Sequence, residues 1–198
     1  PPLSVSRDVT SVQFTVFARA TSVFFFVEPV GNMLSGDNLA TFPEVEIRDF
    51  DNNRVVTGPH QDLVIFFNIT AGSAKLYGDT VVSASAGILD TIASLTLDYA
   101  PFDPSTPFAV SASVANPSIT VQSVLFTVFA RATALRVVQQ PNGVNVVSNA
   151  NIDNDISVET LDFSNNRITS GTHASLNLNL TLTQGVAILD GDQLTSTS

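Results

Sequence analysis

The stretch Ser11–Thr21 returns 112 residues later as Ser123–Thr133, and eight consecutive residues, Phe14–Thr21 and Phe126–Thr133 (Phe-Thr-Val-Phe-Ala-Arg-Ala-Thr), are identical. Composition alone does not produce a match of that length; a fixed displacement marks a chain assembled from repeated units. Further equivalences follow in step. After one inserted residue the displacement becomes 113: Asp49-Phe50 matches Asp162-Phe163, and Asn52-Asn53-Arg54 matches Asn165-Asn166-Arg167. Gly58 and His60 meet Gly171 and His173, and Gly78-Asp79 meets Gly191-Asp192.

The 198 residues suffice for two units of about 100 residues, each burying its own core. Lys75 is the sole lysine and the net charge is −10, which argues against nucleic acid or an anionic membrane surface as a partner. Cysteine is absent, so disulfides, thiolate metal sites and cysteine nucleophiles are excluded. The apolar run Val23–Val27 falls far short of the ~20 residues a spanning helix needs, and no membrane span is expected in this segment. Opening on Pro1-Pro2 without an initiator methionine, the chain is expected to be a mature product or a segment of something longer.

Short runs of β-branched and aromatic residues, broken by Gly, Pro, Asn and Asp, predict strands throughout. In the first repeat they fall at 20–28, 43–50, 54–57, 62–70, 73–82, 87–98, 107–114 and 118–130, the density of an antiparallel sandwich. Asn52-Asn53 and Asn165-Asn166 lie between strands, where asparagine tolerates the positive φ of a tight turn. Alternation turns Phe14, Val16 and Ala18 inward and Phe17 outward; Phe129 does the same, with Leu125 beside it. Phe24, Phe26, Val64 and Phe66 also fall on outward positions, whereas their second-repeat equivalents are Arg136, Val138, Asn177 and Asn179. An outward apolar patch made of Phe24, Phe26, Val64, Phe66, Leu125 and Phe129 is therefore expected as a partner surface. The competing readings are a one-residue register slip, which would invert every face, and cover of these residues by a neighbouring loop.

The order of elements carries a resemblance. Val23–Pro29 is followed by Pro43, Val45, Ile47 and Asp49, a polar turn, then Leu63, Ile65, Phe67 and Ile69 in alternation. Gly72, Leu76, Gly78, Ala86-Gly87-Ile88 and Pro107–Ser113 complete it. This resembles the immunoglobulin-like repeats strung in tandem in large bacterial and algal surface proteins, of the invasin and filamin-like kind. One departure is that Asn53-Arg54 stand where many of those repeats have a Gly-Asn turn, which leaves the turn type open.

The resemblance implies tandem immunoglobulin-like antiparallel β-sandwiches, the second one incomplete. Residues 1–20 become an orphan terminal strand completing a neighbouring domain, 21–131 the first domain and 132–198 the incomplete second. It implies no catalytic residues and no cofactor. Two accounts cover an orphan strand beside an incomplete sandwich: a window on a longer array, or β-strand addition between subunits. In the second account the donor segment is Pro2–Ala20, with Val12, Phe14, Val16, Phe17 and Ala18 at the inter-subunit contact. Both imply an extracellular fibre or stalk whose partners are copies of itself. The alternative is an adhesin segment binding a glycan or protein through loops at the sandwich end. Arg19 and Arg131 stand at the domain junction, where an acid such as Glu28 or Asp37 is the expected partner.

Other candidates for chemistry are sparse. Asn68-Ile69-Thr70 and Asn179-Leu180-Thr181 are N-glycosylation sequons, readable as sites of covalent glycans or as unmodified asparagine. Asp49, Asp51 and Asn53 have calcium-loop spacing but lack the distal glutamate, so a plain hairpin turn is preferred and no metal is expected. His60 and His173 are lone loop histidines. No nucleophile elbow, phosphate loop or dinucleotide fingerprint occurs, and an enzyme is not expected.

Overall fold

The structure, a computed structural model, describes residues 12–30, 33–97, 107–140 and 156–181, with the backbone of 194–196. The donor segment before Val12, Gly191-Asp192 and part of the expected strand 87–98 lie outside them. The described residues are all-β, with no helix. In chain order the strands are β1 (Ser22–Val27), β2 (Met33–Leu34), β3 (Glu44–Arg48), β4 (Val64–Ala71) and β5 (Leu76–Gly78). Next come β6 (Val81–Ser83), β7 (Ile88–Leu89), β8 (Leu95–Leu97), β9 (Ala109–Val114), β10 (Ile119–Gln122) and β11 (Val128–Phe129). The second repeat supplies β12 (Ala134–Gln139), β13 (Ser157–Leu161), β14 (Asn177–Asn179) and β15 (Leu194–Ser196).

Two antiparallel sheets, β1-β3-β7 and β10-β9-β4-β6, face each other across one apolar core. Period-two alternation drives this. Val23 and Phe25 of β1 stand opposite Ile47 and Val45 of β3, and all four are buried, while Phe24 and Phe26 face out. From the other sheet come Ile65 and Phe67 of β4 and Val110, Ala112 and Val114 of β9. The arrangement is consistent with a β-sandwich.

Several strands depart from expectation. Residues 54–57 form no strand; Arg54 bridges Arg48, and Val55 donates its N–H to Ile47 O (2.9 Å) while its side chain enters the core. The run 73–82 breaks at Gly78, whose φ of 93° ends β5 before β6 begins. The run 118–130 breaks as well. β10 pairs with β9, Phe126 bridges Phe108, and β11 then runs parallel to β2, so the expected antiparallel order does not hold there. Met33–Leu34, the partner of β11, has too short an apolar run to predict as a strand.

The second repeat copies the first in register. Ser22, Val23, Phe24, Phe25 and Val27 pair with Arg48, Ile47, Glu46, Val45 and Glu44. Their equivalents Ala134, Leu135, Arg136, Val137 and Gln139 pair with Leu161, Thr160, Glu159, Val158 and Ser157, with the irregularity at the same step. β14 pairs antiparallel with β15 of the same chain.

Candidate functional site at the repeat junction

The duplicated stretch makes the same contacts twice. Phe17 lies against Gly58, Ala20 donates its N–H to His60 Nδ1 (2.9 Å), and Thr21 donates to Arg48 O (2.9 Å). In the second copy Phe129 lies against Gly171, Ala132 donates to His173 Nδ1 (2.9 Å), and Thr133 donates to Leu161 O (2.9 Å). Both glycines have positive φ, 90° and 81°, so a side chain there is strained by the backbone as well as blocked by phenylalanine. Each histidine ring nitrogen that accepts these bonds must be unprotonated to do so. His60 and His173 are thereby placed as receptors for the incoming strand.

On its other side the second copy belongs to the first sheet pair. Val128 and Phe129 pair with Met33 and Leu34, and Ser35 donates its N–H to Phe129 O (2.8 Å). Arg131 donates Nε to Ser35 O (2.8 Å) and its guanidinium pairs with Asp37, one of the two acids named for the junction arginines. Glu28, the other candidate acid, instead accepts the N–H of Val124 (3.1 Å). Arg19 is exposed. Phe126 and Phe108 exchange backbone bonds of 2.8 and 2.9 Å, with their rings 6.3 Å apart.

Identical residues meet different surroundings in the two copies. Phe126 and Val128 are 6% and 0% exposed; Phe14 and Val16 are 79% and 80% exposed. Val12 and Ala18 are exposed too, and Phe17 is partly covered by its glycine contact.

The outward apolar residues do not gather into one patch. Phe24 and Phe26 lie on the outer face of the β1-β3-β7 sheet, whereas Val64 and Phe66 lie on β4 in the opposite sheet. Arg48 sits 4.0 Å over the Phe24 ring and also pairs with Glu46 (2.7 Å). In the second repeat Arg136 takes the Phe24 position and pairs with Glu159 (2.5 Å), so the cation has moved to the neighbouring strand. Leu125 is exposed; Phe129 is half-buried at the junction.

The acidic turn is occupied by its own backbone. Asp49 Oδ1 accepts from the N–H of Asp51 (3.0 Å) and of Asn53 (2.9 Å), and Asp162 Oδ1 accepts from Ser164 (2.8 Å) and Asn166 (2.9 Å). Asn52 and Asn165, at φ 65° and 63°, take the left-handed position after a tight turn closed by Asn52 N–H to Asp49 O and Asn165 N–H to Asp162 O (both 3.1 Å). This is the three-residue hairpin loop in which glycine is usual and asparagine is the next choice. Among the described residues no group of three or more His, Asp or Glu could hold a metal ion. Asn68 and Asn179 are both exposed on their strands, and no helix among the described residues is long and apolar enough to cross a membrane.

Equivalence across the repeat singled out Gly58, Gly171, His60 and His173, but nothing local marks a loop glycine or histidine as a receptor for another strand. Comparison with protein-family models, with curated proteins and with solved structures finds no match.

Proposed function

We propose that this chain is a structural segment of an extracellular fibre or stalk, built from tandem immunoglobulin-like units joined head to tail by chain continuity or β-strand addition. The observation that carries this reading is the twofold junction. At the second copy, one strand closes the sheet pair behind it with Phe126 and Val128 and engages the next repeat with Phe129 and Ala132. At the first copy the forward half of that contact is already made, at Gly58 and His60. Four residues, Ala130–Thr133, separate the last strand of one sheet pair from the first strand of the next repeat, and they are tied to both sides. So short a tethered connector favours a stiff series of units over beads on a flexible string. The exposed sequon residues Asn68 and Asn179 suit glycan attachment on the flanks of such a fibre.

Small-angle scattering and negative-stain imaging test the reading. An elongated particle with a fixed angle between units, and at high concentration a filament whose repeat is two units, is the expected result. A compact particle, or two units sampling many angles, overturns it.

A further inference from the structure

We infer that His60 and His173 make the grip between repeats sensitive to pH, each holding the entering strand as a neutral imidazole and releasing it when protonated. The inference rests on the head-to-tail reading and adds a control to the junction on which that reading depends. Both loops are built alike. A glycine takes the phenylalanine ring, and the histidine two residues on accepts a backbone N–H at Nδ1, from Ala20 or Ala132, at 2.9 Å in each case.

A neutral imidazole has one acceptor nitrogen, and in both loops Nδ1 is that atom, which leaves the proton on Nε2. In the charged ring both nitrogens donate. Two N–H groups cannot share a 2.9 Å line, and turning the ring over offers only a C–H, so protonation abolishes the bond in either orientation. Histidine is the side chain that ordinarily changes charge between about pH 5 and 8. Both residues are half-buried, so the rings remain within reach of solvent protons.

No acid stands ready to hold the charged ring: among the described residues no carboxylate pairs with either imidazole. On the entering strands the charged groups are Arg19, which is exposed, and Arg131, which is turned to Asp37. Around His60, Asp62 of the same loop accepts the N–H of Ala86 (3.1 Å), and the Ala86–Ile88 turn bonded to that loop carries no charge. On β3, Arg48 pairs with Glu46 while Asp49 holds its own turn. Around His173, whose carbonyl accepts from Thr160 of β13 (3.0 Å), Glu159 pairs with Arg136 and Arg167, and Asp162 holds its own turn. A protonated ring therefore gains no ion pair in place of the bond it loses. The other ties do not titrate: Phe129 still rests on Gly171, and Thr133 still donates to Leu161 O. Acid thus loosens the junction at Ala132 without detaching the repeats.

Amide exchange, normalised to the unstructured rate at each pH, and histidine nitrogen shifts by NMR test this on the intact chain. Between about pH 7.5 and about pH 5 both imidazoles are expected to take up a second ring proton. Protection at Ala132 and Ala20 is expected to fall roughly 2- to 10-fold over that range. Thr133 and Thr21 are expected to keep theirs, as is Phe67, bonded to Thr80 O in the first sheet pair. His173→Asn puts an amide oxygen close to the Nδ1 position, where it accepts without titrating, and is expected to keep Ala132 protected throughout. Imidazoles that stay neutral at the acid end, constant protection at Ala132, or a fall that His173→Asn leaves in place overturns the inference. So does an equal fall at Phe67, which reports general acid unfolding. Should His173→Asn not fold, His60→Asn read at Ala20 carries the same expectations. Scattering at neutral pH judges the fibre reading separately: a fixed angle there with constant exchange sinks the pH control alone, whereas many angles sink the fibre reading and leave exchange to decide the pH control.

Discussion

Phe129 lies across Gly171 so closely that a β-carbon on the glycine would stand 2.6 Å from the phenylalanine ring, and Phe17 stands over Gly58 at the same distance. The backbone of Phe129 is bonded to the first sheet pair through Leu34 and Ser35, while its ring rests on a loop of the second repeat. One residue thus joins two bodies, by backbone on one side and side chain on the other. That follows from strand alternation: Val128 points into the core behind it, so Phe129 must point away, toward whatever comes next.

Gly171→Ala adds one carbon where φ is +81° and the ring leaves no room. The strained backbone costs about 1–3 kcal/mol, and the ring must also move. The expected outcome is a loosened junction: scattering shows a broader range of inter-unit angles, while the first sheet pair melts as before. Gly58→Ala is expected to release Phe17 and leave the junction at Phe129 unchanged.

His173→Ala removes the acceptor of the Ala132 N–H. A neutral hydrogen bond of this kind contributes about 0.5–1.5 kcal/mol. Amide exchange at Ala132 is expected to speed up by roughly 2- to 10-fold, with Thr133, bonded to Leu161 O, affected less. His60→Ala is expected to do the same at Ala20. Equal exchange at both amides in variant and wild type would show that the histidines are spectators.

Asp162→Ala deletes a carboxylate oxygen that holds two backbone N–H groups in a tight turn, and Asp49→Ala does so in the first repeat. Hydrogen bonds to a charged acceptor contribute about 1.5–3 kcal/mol when sheltered. Asp162 is buried and Asp49 is half-exposed, so the second-repeat variant is expected to lose more stability in denaturant titration. Calcium is expected to leave the melting temperature of the wild type unchanged, because the best-placed oxygen is already used by the turn.

Local patterns were legible where a residue's own neighbours decide its fate. Alternation in Val23–Val27 fixed which phenylalanines are buried, and the Asn52 and Asn165 turns followed from side chains that tolerate positive φ. What escaped was set by distant chain. Met33–Leu34 is a strand only because β11 arrives beside it, and 118–130 breaks only because it must leave β9 for β2. The apolar patch dissolved for a similar reason: Phe24 and Val64 are outward on different sheets, a fact that strand alternation cannot supply. At the junction, the repeat drew attention to Gly58, Gly171, His60 and His173, but their roles depend on loops some 40 residues from the strand they receive.

Phe14 and Phe126 offer a comparison in which sequence context is held constant, since the seven residues after each are the same. Truncation of a buried phenylalanine costs about 3–5 kcal/mol, from lost transfer energy and from the cavity left behind. Phe126→Ala removes the ring packed beside Phe108 and opens the core next to Val128. Phe14→Ala removes a ring that is already 79% exposed, and surface changes of this sort stay within about 0.5 kcal/mol. Denaturant titration of dilute protein is therefore expected to separate the two by several kcal/mol. Equal losses at both positions in dilute solution would mean that Phe14 is packed within its own chain.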